Sequence, residues 1–370
     1  MKKKWLIPVV ALATCVPMVA AGCDSCGGND KQTYNITYYD GENSLRTQSV
    51  VQDGYAGYWT PTKAGYNFVG WYTDSAFSTQ FDFSATITAE TTLYAKFEKV
   101  IKMPTLSADS TKFTYDVAGE EKTVDISAKS FYLDGRLTDS EVYGKSNVFN
   151  SFNKAIEAAT AGTEAEPMTI YIAPWTYWIH DPNSAETKDA YGIVKSCANL
   201  HLIGLTDNPE NVVIAGNYGH DQGYMGGNWT MFNFSGDGLT MKNITFGDYC
   251  NVDLVYPLNP ALNVPKRTNN VTQGQIASYS GDKLYAENCR FVSRLNMMPF
   301  NNSKRALYVN CHLESTDDSL NGSAQAVYMG CDFDFYSSKP WGGSSGVTLL
   351  GCQMNIVHAI TSSEGVKQYH

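Results

Sequence analysis

From residue 239 onward one pattern returns at nearly constant spacing: LTMKNITF, LYAENCRF, LYVNCHLE, VYMGCDFD and TLLGCQMN. Each copy is an apolar run, then Asn or Gly, then Ile or Cys, then one residue and an apolar one. The Asn/Gly positions are 243, 288, 310, 330 and 351, so the last three intervals are 22, 20 and 21 residues, and the first, 45, is two periods with an insertion. A unit this short cannot bury a core alone, whereas like units stacked as coils share one interior. Successive coils then pair their strands in parallel at ~4.8 Å. The repeat therefore predicts an all-β chain dominated by a right-handed parallel β-helix. Cys289, Cys311, Cys331 and Cys352 take the same place in four coils and form an interior ladder of small apolar groups, with disulfides between neighbouring coils as the alternative. No His or Cys stands at metal-ligand spacing from them, so no metal or other cofactor is called for.

The 370 residues, 43% hydrophobic, are enough for two domains. Aromatics at 13% and charged residues at 17% fit an extracellular β-rich or carbohydrate-handling protein. The start, MKKKWLIPVVALATCVPMVAAGC, reads as an export signal over 1–22 whose small residues precede Cys23 in the manner of a bacterial lipoprotein signal. Cys23 is then the lipidated first residue, the membrane is contacted through that lipid, and the protein is extracellular at the cell surface. Without the leader, 24 basic groups face 37 acidic ones, a formal charge of −13 that argues against nucleic acid as a partner.

Residues 23–31 are small and polar, a tether. Residues 32–98 alternate apolar and polar positions between turn signals and read as a small β-rich domain. GYNFVGWYTD followed by FDFSATITAETTLYAKF resembles the internalin-type B repeat of bacterial surface proteins, which implies a spacer or adhesion module without catalysis. Residues 99–146 read as a linker running into the first strands. NVFNSFNKAIEAATAG then carries Phe149, Phe152, Ala155, Ile156 and Ala159 at helical spacing with Gly162 as a stop, and opens the β-helical domain over 147–370.

Counting from the ladder cysteines, Asp318 is seven residues after Cys311 and Asn296 seven after Cys289, so they occupy equivalent places on adjacent coils. The same offset in the next coils gives Ser338 and Ala359, which leaves the polar pair local to two coils. Asp317 and Asp318 are neighbours in a strand-like segment, so only one of them faces a given groove.

Residues 147–354 resemble the carbohydrate esterase family that contains the pectin methylesterases, whose fold is a pectin lyase-like right-handed β-helix preceded by a short helix. The matching stretches are FNSFNKAIEAATAG with MTIYIAPWTY, LHLIGLTDNPENVVIAGN, FNFSGDGLTMKNITF and TQGQIASYSGDKLYAENCRF. In that family one aspartate attacks the ester carbonyl, a second donates and takes back the proton, and two glutamines hold the oxyanion. Asp318 falls on the nucleophile position of the D-F-I-F-G motif and Gln273 on the first oxyanion glutamine. Where the family has Q-D-T-L this chain has Leu295-Asn296-Met297-Met298, so the second glutamine and the acid/base aspartate are replaced. Asn296 donates a hydrogen bond and cannot exchange a proton. Lys339-Pro340-Trp341 comes too early to be the family's L-G-R-P-W, and the arginine role is not carried onto Lys339. The chain ends at His370 without the family's closing segment, so this member is shortened or truncated.

The reading that follows is a pectinesterase-like protein acting on pectin or a related uronate-containing polysaccharide. Asp318, Gln273 and Asn296 form its site, and Arg294, Lys339 and Trp341 are candidates for contacting substrate. A catalytically degenerate carbohydrate-binding or adhesion protein is the alternative, with Trp175, Trp178, Trp229 and Trp341 as stacking surfaces. A third reading is a Ca²⁺-dependent polysaccharide lyase using an acidic patch of Asp317, Asp318, Asp332 and Asp334. None of the six histidines has a partner recognisable by spacing.

Overall fold

In the computed structural model the described residues are 32–370, apart from 62, 64–65, 100, 118, 186–188, 223–227, 270–273, 294–298, 316–323, 337–345, 357–358, 362–364 and 368–370. They form two compact units that divide between Val100 and Ile101.

The first unit is a four-stranded sheet ordered Asn43–Val51, Thr33–Asp40, Thr91–Lys99, Tyr66–Tyr72, with the two central strands parallel. Strand alternation turns Ile36, Tyr38, Leu93 and Ala95 inward around a buried Trp71, whose indole N–H donates to the Trp59 carbonyl at 2.9 Å. The Leu93-Tyr94-Ala95 and Gly70-Trp71 motifs are thus the core-facing parts of two neighbouring strands. A register shift between Phe68 and Gly70 sets Trp71 on that inner face.

The second unit is the expected parallel β-helix. Among the described residues three parallel sheets run along it, of nine, seven and four strands. One full coil passes from Leu284–Glu287 in the first sheet to Arg290–Ser293 in the second and Pro299–Asn301 in the third, and returns to the first at Arg305–Val309. Such crossovers are right-handed in nearly all proteins.

The repeated Asn/Gly marks the corner between the first two sheets. Asn243, Asn288, Asn310, Gly330 and Gly351 all have left-handed backbones, with φ of 58°, 50°, 50°, 62° and 61°. Only glycine, or a short side chain that bonds locally, adopts this conformation cheaply, which accounts for the residue choice. The corner also carries its own bonds. Asn288 Nδ2 donates at 2.8 Å both to the Asp207 carbonyl and to Asn243 Oδ1, joining one coil to the next. Inside, Cys289, Cys311 and Cys331 are buried free thiols with Cys352 half-buried after them, and the Cys311 N–H donates to Cys331 Sγ at 3.4 Å. Phe246 and Phe291 stack in register, as do Tyr308 and Tyr328 at 4.6 Å.

Three details depart from the sequence pattern. The 45-residue interval is one coil with a long insertion rather than two periods, since Thr240–Lys242 pairs directly with Leu284–Glu287 and Thr245–Asp248 with Arg290–Ser293. The helix is shorter than its spacing suggests, Phe152–Ala158, because Val148–Phe149 pairs as a strand with Ser130–Leu133. Gly162 is a close-approach residue rather than a helix stop, since a Cβ there would lie 2.3 Å from the Met168 nitrogen. Residues 105–125 hold a three-stranded antiparallel sheet whose Phe113 stacks on Tyr132 at 4.7 Å.

The corner ladder gives a stability prediction. Asn288→Gly keeps the backbone and loses two hydrogen bonds, so it should cost about 1–2 kcal/mol. Asn288→Ala adds the left-handed penalty of about 1–2 kcal/mol. Urea denaturation of the two variants should therefore rank Ala below Gly below the parent.

Candidate active site

Gln273, Arg294 and Asn296 fall in connections between the second and third sheets, whereas Asp317, Asp318, Lys339 and Trp341 fall between described strands of the second and first sheets. Gln273 directly precedes the strand Gly274–Tyr279, and Arg294 and Asn296 follow Arg290–Ser293. Asp317 and Asp318 follow His312–Ser315, while Lys339 and Trp341 follow Asp332–Phe335. All seven, with Cys23, lie outside the described residues.

Their flanks are described and converge. Ser293 pairs in register with Ser315 on the adjacent coil, and these are the residues three before Asn296 and Asp318. Ser293 is fully buried, and its hydroxyl donates to the Gly274 carbonyl at 3.1 Å. One side chain thus ties the strand end leading to Asn296 to the residue that follows Gln273.

Two coils earlier the connections between the second and third sheets hold a buried polar cluster that sequence spacing did not reveal. His180 stacks on Tyr218 with centroids 3.8 Å apart and meets Trp229 edge-on at 5.2 Å. Its Nε2 accepts from the Asn217 N–H at 3.1 Å, so in the neutral ring the proton is on Nδ1, 3.0 Å from the Asp181 carbonyl. Arg267 lies over the Tyr218 ring, 5.1 Å from its centroid. Its Nε donates to the Asn217 carbonyl, and its Nη2 to Asn217 Oδ1 and the Pro182 carbonyl, each at 2.8 Å. These bonds span 50 and 85 residues, beyond the reach of any local motif.

Asp248, the last residue of its strand, is completely buried. Its Oδ1 accepts from the Cys250 N–H at 3.0 Å, and its Oδ2 has no partner among the described residues. Burial raises this carboxyl from 3.8 to about 8, against the weaker pull of the Cys250 N–H and Arg267. The Cys250 thiol, pushed up to about 12 by burial, donates to Gln222 Oε1 at 3.5 Å. The cluster therefore presents a neutral acid, a neutral imidazole and one fixed guanidinium. A buried acid at a strand end two residues before a cysteine was the one available sequence signal.

The expected stacking surfaces separate. Trp229 is a core residue, 1% exposed, so it offers no surface to a sugar. Trp178 packs against Tyr249 beside Val213 and Ala215, under the segment carrying Leu254 and Tyr256. Trp175 is half-buried at the start of its strand. Asp334 accepts from Asn355 Nδ2 at 2.9 Å and lies 3.8 Å from His312 Nε2. Among the described residues no three acidic, imidazole or thiol groups gather as a metal site.

Residues 34–96, within the 32–98 read as an internalin-type B repeat, match the family profile of the Listeria-Bacteroides repeat domain. No curated protein matches the chain. Among solved structures, a pectin methylesterase from Erwinia chrysanthemi is 19% identical over 55% of this chain and 54% of its own, with a TM-score of 0.39. A pectin methylesterase from carrot is 14% identical over 63% and 65%, with a TM-score of 0.41. A pectin methylesterase bound to a hexasaccharide is 16% identical over 60% and 65%, also at 0.41. The chain thus spans between about half and two-thirds of their lengths, and identities this low assign no chemistry to individual residues.

Buried Asp248 and half-buried His180 act in opposite senses. Asp248 binds its proton in the folded chain up to about pH 8, whereas the unfolded chain releases it near 3.8. Its contribution is fully present below pH 4 and is lost as pH rises toward 8. His180, lowered by burial from 6.5 to about 4, contributes above pH 6.5 and loses that contribution as pH falls to 4. Asp248→Asn should remove the alkaline loss. Relative to the parent, its stability should rise by on the order of 1.4 kcal/mol per pH unit between pH 4 and 8. Denaturation curves across that range check this, and an unchanged slope would mean the carboxyl is ionised.

Proposed function

We propose that the β-helix is a pectinesterase-like carbohydrate esterase that hydrolyses methyl esters of pectin or a related uronate polysaccharide, held at the cell surface by a lipid on Cys23. The observation that supports this reading is the convergence on Ser293. The strand ends leading to Asn296 and Asp318 are register-paired, and one of them is bonded to the residue after Gln273. Residues far apart in sequence that carry the esterase chemistry thus start from one place.

In this reading an Asp318 carboxylate oxygen bonds to the ester carbon while Gln273 donates its amide N–H to the developing oxyanion. Methanol departs after taking a proton, and water cleaves the acyl–Asp318 bond to give the free uronate and restore the carboxylate. Asn296 orients substrate by hydrogen bonding but supplies no proton. Water must do so instead, at a cost of about 100- to 10,000-fold in rate relative to a site with a carboxylic acid there. Arg294 and Lys339 are the cations available to a neighbouring uronate carboxylate, and Trp341 is the stacking surface.

The replacement of the acid by Asn296 and of the second glutamine by Leu295 favours a second reading, a protein that binds the polysaccharide without cleaving it. Methanol release from highly methylated pectin by the full chain separates the two. Asp318→Ala should abolish release, and Asn296→Asp should raise it by 10-fold or more. A folded chain that binds pectin and releases no methanol, with or without Asn296→Asp, would leave the binding reading.

A further inference from the structure

A cleft of about 340 Å³ opens beside the first coil, at the start of the seven-stranded sheet. It lies three strand spacings, ~14 Å, from the strand that ends at Ser293. Ile101, Met103, Pro174 and Leu258 form its apolar walls. Trp175 lies among them with its indole held in place. A Cβ on Gly135 would fall 2.0 Å from Trp175 Cδ1, so only glycine leaves room for the ring. The Trp175 Nε1–H has no acceptor among the described residues. Tyr256 borders the cleft but is only 2% exposed, and its hydroxyl donates to the Asn211 carbonyl at 2.9 Å, so Trp175 is the ring left for a ligand.

The remaining lining residue is Asn259. Its Oδ1 accepts from the Ala261 N–H at 3.0 Å, which leaves the amide N–H groups for a ligand. No charged side chain lines the cleft. A carboxylate placed here would be desolvated without a counter-charge. A purely aliphatic ligand would bury the Trp175 and Asn259 donors unpaired. A pyranose or furanose ring has what both constraints ask for, a patch of C–H groups to lie on an aromatic face and hydroxyls to accept at the rim.

We propose that this cleft binds a neutral sugar residue, with Trp175 as the stacking platform and Asn259 as the rim donor. The site is independent of the esterase reading, and it fits an uncharged side branch or neighbouring neutral glycan rather than the uronate chain itself.

Calorimetry and tryptophan fluorescence of the full chain with galactotetraose, arabinotetraose, trigalacturonate and hexaproline test it. At least one neutral tetrasaccharide should bind in the millimolar range and perturb the fluorescence. Trp175→Ala should weaken it 10-fold or more. Asn259→Asp retains the acceptor for Ala261 and removes the donor, so it should weaken binding several-fold with the fold intact. Trp175→Phe should keep part of the affinity, which separates loss of the platform from loss of structure. The proposal is overturned if neither neutral sugar binds, if binding is indifferent to both the Trp175 and Asn259 changes, or if trigalacturonate or hexaproline binds in a Trp175-dependent way.

Discussion

The left-handed corner between the first two sheets sets the geometry on which the β-helix depends. A strand arriving there must turn within one residue, and an ordinary L side chain makes that turn only against steric strain. Asparagine and glycine make it at 243, 288, 310, 330 and 351, and the asparagines also bond along the stack. Once the corner is fixed, every strand that leaves it starts at the same height. Phe291 then faces Leu313 and Ser293 faces Ser315 without further instruction. Register in a parallel stack is self-propagating, since a one-residue slip would turn the buried cysteines and aromatics outward.

Regularity at one corner permits irregularity at another. The connections between the second and third sheets vary from coil to coil, and the 45-residue interval holds the longest of the described ones. That insertion covers the outer face of Val213 and Ala215 with Leu254 and Tyr256, and it delivers Arg267 to the Asn217 carbonyl. Holding a half-buried guanidinium against carbonyl oxygens is favourable because the three acceptors are already fixed by the coil. Asp248 is the counterpart: a carboxyl with one satisfied oxygen in the same region escapes the cost of a buried charge by staying protonated.

The architecture was legible because its signal is periodic. Five copies of an apolar-Asn/Gly-Ile/Cys pattern carry the strand positions, the corner and the interior ladder together. The Gly70-Trp71 and Leu93-to-Phe97 motifs were legible for a similar reason, since alternation along two adjacent strands leaves a local trace. The His180–Tyr218–Arg267 cluster left none. Its members are joined through main-chain carbonyls of Asn217 and Pro182, and a carbonyl acceptor has no residue identity to read. Gly162 misled for a related reason, because close packing against Met168 and helix termination both select glycine.

Charge connects the two ligand readings. The chain is strongly acidic, −10 as a whole, and repels a polyuronate at long range. A methyl-esterified uronate lacks that charge, and so does the neutral sugar that suits the Trp175 cleft. Under the esterase reading each turnover converts an uncharged residue into an anion, so the field of the protein disfavours product more than substrate. Arg294 and Lys339 would then serve local orientation, since two cations cannot reverse the sign of the whole. The cleft, with no charged lining and its donors at the rim, would keep hold of a branched polymer while its backbone grows more anionic. Under these two readings together, an acidic protein would remain on a substrate that it progressively makes acidic.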